Sequence, residues 1–542
     1  MINILSKYHS FWNKYENKNI TLWIKGYFYS HSLDDIIDKF STINKSELET
    51  YLKSIDGHFA IIAKRNDLTF IIVDKIRSTP LFFTKIKDDF IIDFDPKNII
   101  NLKEFDKEID ENGKLEIAMS GFTIGNKTIY KNLKCLKPGE AVILKDNSYE
   151  YLEYYRYHGE ITNKIFDEYL DELTELTLNI FRKMLKQIGN RQIIIPLSAG
   201  NDSRLVASIL KHLGVKNVKC YSYGTIGNFE AKFAKIISQK LGYEWKFIPL
   251  THKSEKKYYV SKSYKEYLDY SETYCSVPYV QSLSTIQYLK DMNWISHDAV
   301  FINGNSGDFI TGGHIGTKFE SRKEILNTAQ RKENILTKLI EKHFSLWGYL
   351  KTNHNIRKIK TNLWNEIINS CGEINKNQND HLFYEYSELI DRQSKYVIGG
   401  QKVYEYHNFE WRLPLWDNEY LHFWQKVPIE FKIKQKLFIK MLKKNNFGNV
   451  WNDDFPVNKK TISPKWIIPL RFICKIPFSL FGKKGKQAWK QFDINFFFYF
   501  RDINHMMNTQ NYSEVVKDIF KKPRNYLSWH VKNYLKKISS LK

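Results

Sequence analysis

At 542 residues the chain is too long for one hydrophobic core, so two domains are the natural expectation. Hydrophobic residues at 42% and aromatics at 15% exclude wholesale disorder. The formal charge of +23 points to nucleic acid, an anionic membrane surface or an acidic substrate, or else to lysine drift on solvated faces. The five cysteines, at 135, 220, 275, 371 and 474, form no CxxC and have no histidine at ligand spacing. They argue against structural zinc and a disulfide framework, and fit a reducing cytoplasm. Residues 1–7 lack the apolar core of a signal peptide, and no stretch approaches the roughly 20 apolar residues of a spanning helix. A soluble chain, at most attached to a surface, is expected.

Residues 1–155 read as mostly β, with short apolar runs at 59–63 and 69–73 between polar turns. Pro138-Gly139 reads as a turn feeding a strand that runs to Leu144. From about 165 the period changes: Leu170, Leu173, Leu176 and Leu178 belong to a long helix ending near Gly189-Asn190. Apolar runs at 192–197, 218–223 and 299–303 read as buried parallel strands with helices between them, an α/β layer over 165–310. Residues 320–450 read as largely helical. No internal repeat is visible.

The segment Pro196-Leu197-Ser198-Ala199-Gly200-Asn201-Asp202-Ser203-Arg204 follows a buried strand and precedes a helix. Small residues at 198–200 let backbone N–H groups approach phosphate oxygens, and the helix dipole favours an anion there. Asp202 is a candidate Mg²⁺ ligand, and Ser198 and Ser203 are candidate phosphate donors. An ordinary polar strand-to-helix turn, with Asp202 or Ser203 as its N-cap, accounts for the tract equally well when it is taken alone. It is neither a Walker A loop nor a GxGxxG fingerprint.

The tract resembles the Ser-Gly-Gly-x-Asp-Ser pyrophosphate loop of the asparagine synthetase family, with Ala199 in place of the first glycine. Three further stretches resemble the same family in the same order. They are Gly304-Asn305-Ser306-Gly307-Asp308-Phe309-Ile310-Thr311-Gly312-Gly313, then Glu410-Trp411-Arg412-Leu413-Pro414-Leu415-Trp416-Asp417, then Lys436-Leu437-Phe438-Ile439-Lys440. The resemblance implies an α/β parallel-sheet ATP-pyrophosphatase domain over 161–460, with ATP and Mg²⁺ as cofactors. It implies nucleotide contacts from Ser198, Gly200, Asp202, Ser203, Tyr223, Asn303 and Gly304, and metal ligation by Asp202 and Asp308. Lys436 is the implied catalytic lysine; Lys440, four residues on, shares its helix face. The implied reaction is adenylation of a carboxylate followed by amide formation. Three positions depart from the pattern: Asn305 stands where the family has a glutamate or tyrosine, Ser306 replaces a glycine, and Phe309 replaces an acid. An amide side chain is no general base, so asparagine is a doubtful product.

Residues 1–160 resemble the family's amidotransferase half, an α+β Ntn-like β-sandwich, through Asp56-Gly57-His58-Phe59-Ala60, residues 74–82, Thr128-Ile129-Tyr130 and Leu136-Lys137-Pro138-Gly139. The chemistry is missing. That reaction needs an N-terminal cysteine, but position 2 is Ile2 and the first cysteine is Cys135. The resemblance then implies nitrogen from ammonia or an amine, and a small or glycan-borne carboxylate, as in surface-polysaccharide or natural-product assembly. Other readings are a lasso-type peptide macrocyclase and an ATP-binding scaffold without activity. Oligomeric state is open, and a homodimer is compatible.

Residues 461–542 form a basic, aromatic extension outside the resemblance. Within 464–502, Trp466, Phe472, Phe478 and Phe481 alternate with lysines. One reading is a subdomain packed on the core, another an interfacial segment on the inner membrane surface. Aromatic–basic interleaving also suits RNA, but no recognised RNA module is visible, and nucleic acid is not an expected partner.

Overall fold

The computed structural model describes residues 2–5, 11–65, 68–316, 319, 326–374, 379–452, 463–502 and 504–540. The expected boundary at 460–461 lies outside them. Among the described residues ten strands build the N-terminal part: β1 (Ile2–Ile4), β2 (Trp12–Glu16), β3 (Thr21–Phe28), β4 (Gly57–Lys64), β5 (Thr69–Val73), β6 (Phe82–Ile86), β7 (Asp89–Asp93), β8 (Lys134–Cys135), β9 (Glu140–Lys145) and β10 (Ser148–Glu153). They pair into sheets ordered β1-β7-β6-β8 and β10-β9-β5-β4-β3-β2. Alternation along β4 shows why both faces of the larger sheet are dry. Ala60 and Ile62 join Phe83, Phe90 and Ile92 between the sheets. Phe59, Ile61 and Ala63 pack with Ile36, Phe40, Leu48 and Leu52 from the helices Leu33–Thr42 and Lys45–Ser54. The expected sandwich is present, and Gly139 does adopt the left-handed turn (φ 69) that feeds β9.

The helix Phe166–Ile188 buries Leu170, Leu173, Phe181 and Met184 and ends at Gly189, whose φ of 65° releases the chain. It leads into a second domain with one parallel sheet of β11 (Ile193–Pro196), β12 (Val218–Gly224), β13 (Glu244–Pro249), β14 (Val300–Ile302) and β15 (Glu410–Arg412), in spatial order β13-β12-β11-β14-β15. The chain therefore reverses its direction of growth between β11 and β14, and open α/β sheets bind ligands at the carboxyl ends of such strands. Helices dominate 328–371 and 380–445, interrupted by β15, as the sequence suggests. β13 and β15 were not foreseen.

The two parts share one continuous core. Their contact is also polar: Lys25 Nζ lies 2.8 Å from Glu405 Oε2, and the Arg412 guanidinium sits 4.0 Å from the Tyr27 ring centroid. Lys183 Nζ lies 2.6 Å from Asp56, and 3.0 Å from both Asp417 and Glu419. Burial, then the neighbouring Asp56, pushes the Asp417 carboxyl up to about 7. Removing the ammonium in Lys183→Met should lower stability by about 2 kcal/mol, between the exposed and buried limits for ion pairs. The loss should be larger at pH 8 than at pH 5, where Asp417 keeps its proton in the fold; urea midpoints at the two pH values read the difference.

The C-terminal extension is not one unit. Its last helix, Tyr526–Ser539, buries Trp529 and Val531 in a cluster with Trp347 and with Ile117 of the N-terminal helix Glu111–Ser120. The helices Ile467–Ser479 and Gly482–Phe496, by contrast, project as a hairpin with most of their side chains exposed.

Candidate functional site

β11 ends at Pro196, and Leu197 to Gly200 carry the chain to the helix Asn201–His212. The turn is held from within. Ser203 Oγ accepts from Ser198 N at 3.1 Å and lies 3.1 Å from Ser198 Oγ, which accepts from Gly200 N at 3.1 Å. Arg204 Nη2 donates to Ala199 O at 2.8 Å. Ala199 is not among the positive-φ residues and is buried, so its methyl sits in place of the family's glycine without backbone strain.

β14 delivers the second loop beside the first. Asp308 N donates to Asp202 Oδ2 at 3.0 Å, so two residues 106 positions apart meet at the switch point. Gly304 and Gly307 allow that approach: a Cβ at Gly304 would lie 2.6 Å from the Asp202 carbonyl carbon, and one at Gly307 2.6 Å from the Asp202 Cγ. Ser306 holds φ at 63°, which explains why a glycine suits this position, and its Oγ donates to Gln393 Oε1 at 2.6 Å. Asn305 lines the cavity; its N–H donates to Asn303 Oδ1 at 3.0 Å and its carbonyl accepts from Trp416 Nε1 at 3.0 Å. Trp416 O is 3.2 Å from His58 Nε2, so the N-terminal domain braces this loop. Phe309 lies outside the cavity, fully buried and stacked on Trp416 at 5.8 Å.

The loops open on a cavity of about 550 Å³, within the usual range for small-molecule sites. Ser198, Gly200, Asp202, Ser203, Tyr223, Asn303, Gly304 and Asp308 all line it. Tyr223 is fixed there by its hydroxyl, 2.7 Å from Ser282 Oγ and 3.0 Å from Gln281 Nε2. Asn504, from the C-terminal extension, also contributes to the wall, which the sequence did not suggest.

Lys436 and Lys440 do not face the cavity, contrary to expectation. Both are exposed, because the helix Lys436–Asn445 buries its opposite side through Leu437, Phe438, Met441 and Leu442. Lys436 Nζ sits 5.4 and 5.8 Å from the ring centroids of Phe166 and Phe431. Gln435 faces the cavity instead, its Nε2 donating to Thr311 Oγ1 at 2.6 Å. The preceding pair, Lys434 and Gln435, is left-handed at φ 55° and 60°.

Among the described lining residues there are three acids, Asp202, Glu230 and Asp308, and no lysine or arginine. Burial, then the charge of Asp308, raises the Asp202 carboxyl to about 7. Burial alone would raise Asp308 too, but the hydrogen bond and charge of His314, with Arg392 and Lys342 further off, hold it below the ordinary carboxylate value. His314 Nε2 is 3.0 Å from Asp308 Oδ2, and its Nδ1 is 2.5 Å from Glu388 Oε1. Glu388 is fully buried; Tyr384 OH donates to it at 2.5 Å, Gln393 Nε2 at 2.9 Å, and His343 Nε2 lies 3.0 Å away. Burial tends to lower His314, yet Glu388 and Asp308 raise it above the ordinary histidine value. This chain of Glu388, His314 and Asp308 was missed in the sequence; the only local signal was a histidine directly after Gly312-Gly313.

Two carboxylates lining one cavity beside a helix N-terminus, with no lysine or arginine among the described lining residues, fit a divalent metal shared with phosphates. Mg²⁺ is held by one or two carboxylates plus substrate oxygens, and takes no full protein cage. Among the described residues the one cluster of three carboxylates is Asp56, Asp417 and Glu419, and the Lys183 ammonium already bridges it.

An amidotransferase-like sheet domain followed by a parallel-sheet domain with paired aspartates at its switch point defines an ATP-dependent ligase architecture. The glutamine amidotransferase domain model matches residues 42–155 and the asparagine synthase model matches 186–445. The chain belongs to the asparagine synthetase family and is an ATP-binding ligase of that type. No curated protein matches the chain. Among solved structures, the glutamine phosphoribosylpyrophosphate amidotransferase from B. subtilis complexed with ADP and GMP is 10% identical, with a TM-score of 0.19, over 64% of this chain and 74% of that one. A structure titled as the allosteric regulatory enzyme of purine biosynthesis is 9% identical, with a TM-score of 0.17, over 54% of this chain and 57% of that one.

Proposed function

We propose that the chain forms AMP: a carboxylate oxygen attacks the α-phosphorus of ATP, pyrophosphate leaves, and ammonia or an amine then displaces AMP to give an amide. The meeting of Asp202 and Asp308 carries this reading. These two would hold Mg²⁺, which supplies charge neutralisation for the triphosphate. Ser198, Ser203 and the N–H groups opening the helix Asn201–His212 present donors to the phosphates. Gly304, Asn303 and Tyr223 shape the rest of the nucleotide pocket.

Lys436, the lysine the family resemblance singles out, is the candidate cation for the departing pyrophosphate and is the direct neighbour in sequence of cavity-lining Gln435. In the ligand-free fold its ammonium lies on the exposed face beside Phe166 and Phe431, so this role would require the side chain to turn toward the cavity when ATP binds. Lys440 lies one turn further along the same exposed face, farther in sequence from Gln435. Asn305 takes no proton from the incoming nitrogen. Another group then takes the proton that ammonia or an amine sheds on forming the amide, or the acceptor differs from those of the asparagine-forming relatives; a sugar-borne or other small acid is the carboxylate we propose. Residues 1–134 contain no cysteine, so nitrogen does not come from glutamine hydrolysis.

Pyrophosphate exchange into ATP, run with Mg²⁺ over a panel of carboxylic acids, tests the reading. At least one acid should support exchange, Lys436→Ala should reduce it about 10²-fold, and glutamine should release no ammonia above background. Exchange with no acid would leave a nucleotide-binding scaffold as the better account.

A further inference from the structure

The strongest feature that the synthetase chemistry does not use is the projecting hairpin of the helices Ile467–Ser479 and Gly482–Phe496. Eight large hydrophobics along its first helix and the turn that follows, Trp466, Ile468, Leu470, Phe472, Ile473, Ile476, Leu480 and Phe481, are between 47% and 78% exposed. Seventeen such residues occur in all among the described residues, so nearly half are crowded into sixteen positions. Patches of this kind mark an interaction surface, where scattered single residues would mean nothing.

Helical spacing sorts the first helix into two faces. Ile467, Arg471, Cys474 and Phe478 form the face toward the second helix: Ile467 is buried, Arg471 Nε donates to Asp493 Oδ1 at 2.8 Å, and the Phe478 ring is 5.6 and 5.3 Å from those of Trp489 and Phe492. Gly485 admits the close approach of the second helix; a Cβ there would fall 1.9 Å from Phe478 O. Opposite lies a stripe at i, i+3, i+4, i+7 and i+11, namely Pro469, Phe472, Ile473, Ile476 and Leu480, every one exposed. The hairpin is thus braced on one side and bare and apolar on the other.

The charge around the stripe decides what covers it. From 463 to 492 there is no aspartate or glutamate, while Lys465, Lys475, Lys483, Lys484, Lys486 and Lys490 are all exposed. A face apolar at its centre, rimmed only by cations and with Trp466 and Phe481 at its ends, matches an anionic lipid surface: acyl chains for the stripe, phosphates for the rim. At 13 residues the helix is about 20 Å long, too short to span a bilayer, and no described helix is long and apolar enough to do so. It would lie in the headgroup plane.

We infer that this hairpin docks the chain on the surface of an anionic bilayer. The docked unit is continuous with the catalytic wall, because the chain leaving it lines the cavity through Asn504, and His505 Nε2 lies 3.2 Å from Thr225 Oγ1. Docking therefore fixes how the cavity faces the membrane, where a lipid-borne acid or amine is presented.

Vesicle sedimentation of the full chain tests this, with phosphatidylcholine alone and with phosphatidylcholine plus phosphatidylglycerol. The wild type should sediment with the anionic vesicles and stay in solution with the neutral ones. The triple change Phe472→Ser, Ile473→Ser and Ile476→Ser should weaken partition at least about tenfold, and Lys483→Gln with Lys484→Gln roughly fivefold per lysine. Both variants should keep the wild-type melting temperature, since every altered side chain is exposed. No sedimentation with anionic vesicles, equal binding to neutral ones, or an unaffected serine variant would overturn the inference. So would a solution dimer that the serine changes dissociate in a chain that ignores vesicles, which would assign the stripe to a second copy.

Discussion

Asp202→Asn should lower pyrophosphate exchange by about 10³-fold while making the ligand-free protein more stable at pH 8. The first effect follows from geometry. The carboxylate lies at the helix N-terminus, one hydrogen bond from the Asp308 backbone, and no lysine or arginine lines the described cavity to replace a lost metal. An amide keeps the shape and much of the hydrogen bonding but gives up the charge that holds a divalent ion. The second effect follows from linkage. Burial and then Asp308 raise Asp202 from its ordinary 3.8 to about 7, so the folded chain keeps a proton that the unfolded chain releases. Its contribution to stability is intact below pH 4 and lost as pH rises to about 7, with no further change above. Other raised carboxylates, such as Glu255 and Asp502, add a similar slope to the background. The informative quantity is therefore the difference between wild type and Asp202→Asn: melting temperatures equal near pH 4, and the variant higher at pH 8. Equal exchange rates would remove Asp202 from the chemistry, and parallel melting curves would remove the electrostatic strain.

The parts legible in the sequence are those written locally. Buried strands announce themselves as apolar runs, so β4, β5, β11, β12 and β14 fall where expected. β13 escapes because Glu244 and Lys246 interrupt Trp245 and Phe247 and Ile248 is its one fully buried residue, and β15 because it is three residues long. The meeting of Asp202 with Asp308 was legible only through the order of motifs; what makes it physical is the strand order, which no local pattern encodes. His314 and Glu388 illustrate the opposite case. They are 74 positions apart, and each stands next to a wide π-type turn, Phe309–Gly313 and Leu389–Val397, whose geometry the sequence does not display. The lysine pair fails for a related reason. Its four-residue spacing does give one face, but the left-handed turn at 434–435 decides which way that face looks. Phe309, in place of an acid, packs into the core beside Trp416 and lies outside the cavity walls.

Lys432→Met should destabilise the fold by about 3–5 kcal/mol, the usual range for orphaning one member of a buried ion pair. Lys432 Nζ lies 2.7 Å from Glu385 Oε1 and donates to Oε2 at 2.8 Å, with both side chains wholly removed from solvent. Burial lowers the lysine and raises the glutamate, each against the pull of its partner, so the pair is strained by desolvation even when intact. Taking the ammonium away leaves a buried carboxylate that must bind a proton to stay, and the loss should therefore deepen as pH rises from 5 to 8. The double change Lys432→Met with Glu385→Leu removes both charges at similar volume and should recover most of the stability, because no buried charge is then unpaired. The site should register the single change as well. The Lys432 carbonyl packs so closely on Gly312 that a Cβ there would be 2.4 Å away, and the following turn sets Gln435 against Thr311. A loosened Lys432 thus frees the turn that starts at Asp308. Denaturant midpoints of the single and double variants, with exchange measured at a temperature where all remain folded, separate the two effects: stability should return in the double variant, and exchange should return with it if the turn owes its shape to packing.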